Sequence, residues 1–164
     1  MDEKKKASAD KGIRPRPGSG YKADVGRRLA AGVVDAILCV FITLILIWIP
    51  GIGWFLGPFV GALFWLTRDN LPLGFLENKS PGKKILNLRV EKLGTETKVC
   101  STGDSVKRNL PAGIALLLIM IPRVGIYLGP SLLVVIGAME ILLILSDPEG
   151  LRLGDKIAET KVFD

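Results

Sequence analysis

Long apolar blocks alternate with short basic, turn-rich stretches along this chain. Leu29 to Ile49 is a run of 21 residues with one charge, Asp35. At ~1.5 Å per residue a helix of that length reaches roughly 31 Å, about one bilayer core. Pro50-Gly51 breaks the run, and Ile52 to Leu66 supplies an uncharged second block with Trp54 and Trp65 near its ends, where interfacial tryptophans belong. The third block, Leu110 to Ile121, ends at Pro122-Arg123, and the fourth, Ser131 to Leu145, carries Glu140 alone. The pattern predicts an all-α integral membrane protein, a four-span bundle of two helical hairpins. Its spans fall at about 29–49, 52–67, 109–122 and 128–146. A competing arrangement makes 124–145 one long span and 110–121 re-entrant.

Composition sharpens this picture. The 164 residues are 49% hydrophobic and 23% charged, too apolar on average for a soluble domain with that much charge. Histidine is absent, which removes His-based triads and His metal sites. Cys39 and Cys100 lie far apart in sequence, so no Cys-x-x-Cys site is on offer. No nucleophile–base pair or glycine-rich phosphate loop stands out, so the expectation is a protein without catalysis, metal or cofactor. The net charge of +6 is concentrated: residues 1–28 hold nine Lys/Arg against four acids, and residues 67–108 hold nine against five. The turns inside the hairpins contain only Arg123. The positive-inside rule then puts both termini and the loop 68–108 in the cytoplasm. Lys83, Lys84, Lys107 and Arg108 read as lipid-surface contacts rather than a nucleic-acid site. Residues 1–20 read as a disordered tail before a membrane domain at 21–164, with 147–164 a cytoplasmic C-terminal segment. The first apolar run is too long for a signal peptide.

Smaller patterns fill in the loops and the helix faces. Leu86, Leu88 and Val90 alternate with polar residues as in a half-buried strand. Gly94 to Glu96 reads as a turn and Thr97 to Cys100 as the returning strand of a small cytoplasmic β-hairpin, with Thr160 to Phe163 as a third strand. Gly53, Gly57 and Gly61 form a double GxxxG, suited to a close helix crossing within the chain or between copies. Arg28 and Asp35 share one helical stripe with Ala31, Gly32, Cys39 and Thr43, and a small, polar stripe faces protein. Glu140 precedes Asp147 by the seven residues that separate Arg28 from Asp35. Both buried acids therefore lie ~10 Å below the membrane surface. Arg28, Asp35 and Glu140 are expected to form one polar cluster. It is either a proton or cation site, or a structural lock in which Glu140 meets Arg28, Arg108 or a backbone group. Asp155 is expected to anchor the C-terminal segment against the basic loop or Arg28.

RRLAAGVVDAIL, SPGKKILNLRV and LGDKIAETKV follow one another around the apolar blocks. With those motifs the chain resembles the RDD family of bacterial multi-pass membrane proteins, named for one arginine and two aspartates. By position the arginine is Arg28, the first aspartate Asp35, and the second Asp155 or Asp69. Members often carry histidine before the late aspartate; Gly154 stands there. The resemblance implies residence in the cytoplasmic (inner) membrane and transport of small ions or ligands of cation/proton exchange type, with a monovalent cation or proton as partner. The alternative is a non-catalytic assembly subunit, working as a homo-oligomer or beside other membrane subunits.

Overall fold

In a computed structural model, which describes residues 23–71, 73–93 and 100–163, the first apolar block is helix α1, Val25–Ile47. Asp24 caps it, accepting from the Arg27 N–H at 3.1 Å. A tight turn leads to α2, Gly53–Thr67, followed by 3-10 turns at 68–70 and 74–76. A five-residue helix, α3 (Pro81–Ile85), starts on a Ser80 cap and runs into strand β1, Arg89–Lys92. Helices α4 (Thr102–Leu118) and α5 (Gly125–Ser146) form the second hairpin, then α6 (Leu153–Ile157) leads to β2, Thr160–Phe163.

Two of the helices, α1 and α5, are long and apolar enough to cross a membrane; α2 and α4 have 15 and 17 residues. Their outward faces are apolar, with Phe41, Val134 and Leu142 each more than 60% exposed. In water such a surface would be a liability; against lipid it is what a span requires. Helix α4 differs from the expected third span. It begins seven residues before position 109 because Ser101 and Asp104 make a reciprocal capping box, and it ends at Leu118.

The sheet also differs from the expected hairpin. β1 pairs antiparallel with β2, placing Arg89 opposite Phe163 and Val90 opposite Val162. Leu86 belongs to the cap of α3, and Asn87, with φ of 52°, turns the chain before the strand starts. Cys100 lies in no strand. Residues 97–99, the rest of the expected returning strand, lie outside the described residues, as does the expected tail at 1–20. The sheet rests on the start of α1, where Leu88 and Val162 pack on Ala23 and Ala31.

Close backbone approach organises both hairpins. A Cβ on Gly57 would sit 2.6 Å from the Thr43 carbonyl oxygen, and Gly53 and Gly61 likewise press on α1. The double GxxxG therefore serves a crossing inside the chain. Helix α5 does the same with Gly125 and Gly129: a Cβ on Gly129 would lie 2.8 Å from the Ala115 oxygen of α4.

These crossings are copies of one another. IPGIGWFLGP at 49–58 recurs as IPRVGIYLGP at 121–130, from Ile49 to Ile121 an offset of 72 residues. The same offset relates α3 to α6, and Asn87 to Glu159, both with left-handed φ (52° and 51°). It also relates Val90 to Val162. Equivalent residues facing each other across an antiparallel pair place a local two-fold axis between the strands. Each half is thus a helical hairpin, a short helix and a strand, and both hairpins open toward the end that carries the sheet. That is a parallel internal repeat, an arrangement that recurs in membrane transport proteins.

Candidate functional site

Where the two halves meet, at the sheet-bearing end of the bundle, the sequence buries charges. Arg28 faces inward from the first turn of α1 because the stripe it heads, with Ala31, Asp35 and Cys39, is the buried face of that helix. Its Nη2 donates to Asp155 Oδ2 at 2.6 Å, and Nη1 donates to the Gly150 carbonyl. Asp155 is held there by α6, whose Gly154 sits against the Arg108 backbone with no room for a side chain. Its other oxygen lies 2.7 Å from Arg108 Nε and 3.2 Å from Arg152 Nε. Burial pushes the Asp155 carboxyl up, but Arg108, Arg152 and Arg28 outweigh it and hold the carboxyl down at about 2.

Asp35 is the second anchor. It accepts from the Gly82 backbone N–H at 2.8 Å, fixing the start of α3 on α1, and Arg68 Nη1 lies 3.5 Å from its other oxygen. Arg68 stacks on Trp65, 3.7 Å from the ring centre. Asp69 is the third. It pairs with Lys83 Nζ and accepts from Asn109 Nδ2 at 3.1 Å, with Arg108 Nε 3.6 Å away. Burial raises the Asp69 carboxyl, but Lys83, Arg108, Arg68 and Arg152 hold it well below the usual range. For Lys83 burial wins: despite Asp69, its ammonium is pushed down to about 7.

Glu140 joins from α5 through Arg152, whose Nη1 lies 3.3 Å from Oε2. Asn109 Oδ1 accepts from both Arg68 and Arg152, each at 3.3 Å, and so links the Asp35 and Glu140 sides. The expected trio of Arg28, Asp35 and Glu140 does enter one network. Each member has its own partner, however, and none of the three bonds another. The acids are too well matched by arginine to face each other across a shared cation.

Two residues expected at the lipid surface are corrected. Lys83 and Arg108 are 7% and 1% exposed, drawn inward by Asp69 and Asp155. Lys84, paired with Glu77, and Lys107 remain on the outside. Arg68, Arg152 and Asn109 were not anticipated from sequence at all. Their signal was the internal repeat, which makes the GKKI of α3 and the GDKI of α6 equivalent docking elements, one presenting Lys83 and the other Asp155. Among the described residues no group of His, Cys, Asp or Glu is placed to hold a metal ion.

Five cations (Arg28, Arg68, Lys83, Arg108, Arg152) thus meet four carboxylates (Asp35, Asp69, Glu140, Asp155) around a cavity of about 40 Å³. A second cavity of about 240 Å³ opens beyond Glu140 among the four long helices, lined by apolar groups such as Val40, Leu116 and Leu133. The model of the RDD family matches residues 22–159, nearly everything the structure describes. The chain belongs to the RDD family. No curated protein matches it, and no solved structure does. The residues whose types the family name spells are therefore seen here as structural anchors. Arg28 bonds Asp155, while Asp35 and Asp69 hold the first turn of α3, at Gly82 and Lys83. With family membership, the apolar outer faces of α1 and α5 mark this RDD chain as a membrane protein.

Proposed function

We propose that this RDD protein is a four-span protein of the cytoplasmic membrane, with both termini inside, that moves a small ion linked to a proton. The observation that carries the reading is the internal parallel repeat with buried, ionised side chains at the junction of its halves. Ion pathways in membrane proteins recur at repeat interfaces, and buried charge in a bundle is costly enough that it marks function by default. The wide apolar cavity, Glu140 and the charged layer follow one another toward the sheet-bearing end. There α3 acts as the inner gate, held by Asp35 on Gly82 and by Asp69 on Lys83. Lys83, with its proton affinity brought near neutrality, is the proton-carrying group.

Purified protein in vesicles should collapse an imposed pH gradient when a Na⁺, K⁺ or chloride gradient is added. Lys83→Met should abolish that response. Asp35→Asn and Glu140→Gln, which keep size and hydrogen bonding, should impair it strongly. The complete pairing of the four acids favours a second reading, a structural lock in an assembly subunit. A fully folded protein with no proton flux under any of these ions decides for the lock.

Orientation has its own test, and Cys100 is unsuited to it. That thiol is 4% exposed and pushed up to about 11 by burial, so it should react slowly from either side. Glu149, with a side chain 60% exposed beside α6, and Arg123, exposed in the α4–α5 turn, are better positions. In intact cells an impermeant maleimide should label Arg123→Cys and spare Glu149→Cys until the membrane is opened. The reverse pattern would invert the topology.

A further inference from the structure

The charge balance of the buried network does not close among the described residues. With five cations and four carboxylates, one positive charge is left over in a layer where each uncompensated charge is expensive. The surplus is localised. Arg28, Arg68, Lys83, Arg108 and Arg152 all line the 40 Å³ cavity, and Asp35 is the acid that lines it with them. Arg108 is 1% exposed, and its Nη1 has no hydrogen-bond partner among the described residues; nor have Nε of Arg68, 3% exposed, and its Nη1, which lies 3.5 Å from Asp35 without a hydrogen bond. Arg108 Nε, though 2.7 Å from Asp155, is also too poorly aligned to donate to it. Buried guanidinium N–H groups are almost always satisfied. Both arginines line a space with room for about three waters at ~10–15 Å³ each.

We propose that this cavity is a binding site for one small monovalent anion of halide type, with chloride its occupant in the cell. The lining combines the guanidinium groups of Arg28, Arg68 and Arg108 with the apolar side chains of Leu88, Ile144 and Val162. A weakly hydrated halide suits that mixed lining. Sulfate is larger and its second charge would exceed the surplus, and a lipid phosphodiester is larger still. The site also takes a residue from each half of the repeat, Arg28 from the first turn of α1 and Arg108 from the second turn of α4. A bound anion favours the charged form of Lys83, which otherwise faces Asp69 together with Arg68, Arg108 and Arg152. Binding should therefore be tighter below pH 7 than above it. The site stands whether or not any ion crosses the membrane.

The test is equilibrium dialysis of the full chain in detergent against isotopic chloride, at constant ionic strength in gluconate. Saturable binding at equal stoichiometry with the chain, displaced by bromide and not by sulfate, is the expected result. The space itself is probed at Gly32, which lines the cavity and has no atom within 4 Å of where its Cβ would be. Gly32→Leu should fill it and abolish chloride binding while all five cations remain, with the melting temperature in gluconate preserved. Gly32→Ala, the milder change, should weaken binding at least tenfold if the leucine variant does not fold. Absence of saturable chloride in the unmodified protein overturns the site, leaving a water-filled cavity. Undiminished binding in a folded Gly32 variant, or equal displacement by sulfate, overturns it as well.

Discussion

Asp155→Asn should destabilise the purified protein by about 3 kcal/mol without changing its insertion into membranes. The carboxylate is fully buried and contacts Arg28, Arg108 and Arg152 together. Removing one partner from a buried ion network leaves the others desolvated and unpaired, typically at a cost of about 3–5 kcal/mol. Asparagine keeps part of the hydrogen bonding, which places the loss near the lower end. The guanidinium neighbours also hold this carboxylate down from 3.8 to about 2, a depression that corresponds to a contribution on the order of 2 kcal/mol. Because the folded-state value is the lower one, that contribution is complete above pH 3.8 and disappears as pH falls through about 2. Acid should therefore loosen the unmodified protein over that window, with Asp69 acting in the same direction. The variant should show a shallower loss. Detergent melting curves at neutral and acid pH check both; coincident curves for the two proteins at every pH would remove Asp155 from its anchoring role.

How far such a network can be read from sequence depends on which physical signal each part leaves. Helices α1, α2 and α5 follow from apolar length and from the prolines at 50 and 122, and their expected limits lie within a few residues of those found. The start of α4 was displaced because hydropathy marks where a helix becomes apolar, not where its backbone begins; the Ser101–Asp104 capping box marks the latter. The inward faces of Arg28 and Asp35 were legible because the residues around them on the stripe are small. Lys83, Arg108 and Arg152 were not, since a cation beside an apolar block fits lipid phosphate as readily as a buried aspartate. Only the three-dimensional partner separates the two. β1 pairs with a strand some 70 residues away, a separation that no local alternation encodes. The internal repeat does encode it, through equivalent glycines, equivalent left-handed turns and Val90 opposite Val162.

The repeat makes a second strong prediction, that its two copies respond alike to crowding. Gly57→Val and Gly129→Val should each cost about 3 kcal/mol or prevent folding, because the new Cβ meets a backbone carbonyl as well as an isoleucine side chain, and the carbonyl cannot swing away. The distances are 2.6 Å to the Thr43 oxygen and 2.8 Å to the Ala115 oxygen, both well inside contact. Overpacking of a close interface costs about 1–3 kcal/mol when neighbours can shift, and a helix carbonyl one turn from its hairpin has little freedom to do so. In lipid there is no hydrophobic force to hold the helices together once the backbones separate, so close packing is most of what the crossing has. Gly137, on α5 with open space around its Cβ position, is the control. Gly137→Ala should be neutral or gain up to ~1 kcal/mol from helix propensity. Detergent melting of the three variants provides the comparison. If Gly57→Val is disruptive while Gly129→Val melts like Gly137→Ala, the second hairpin does not depend on the crossing that its sequence copies from the first.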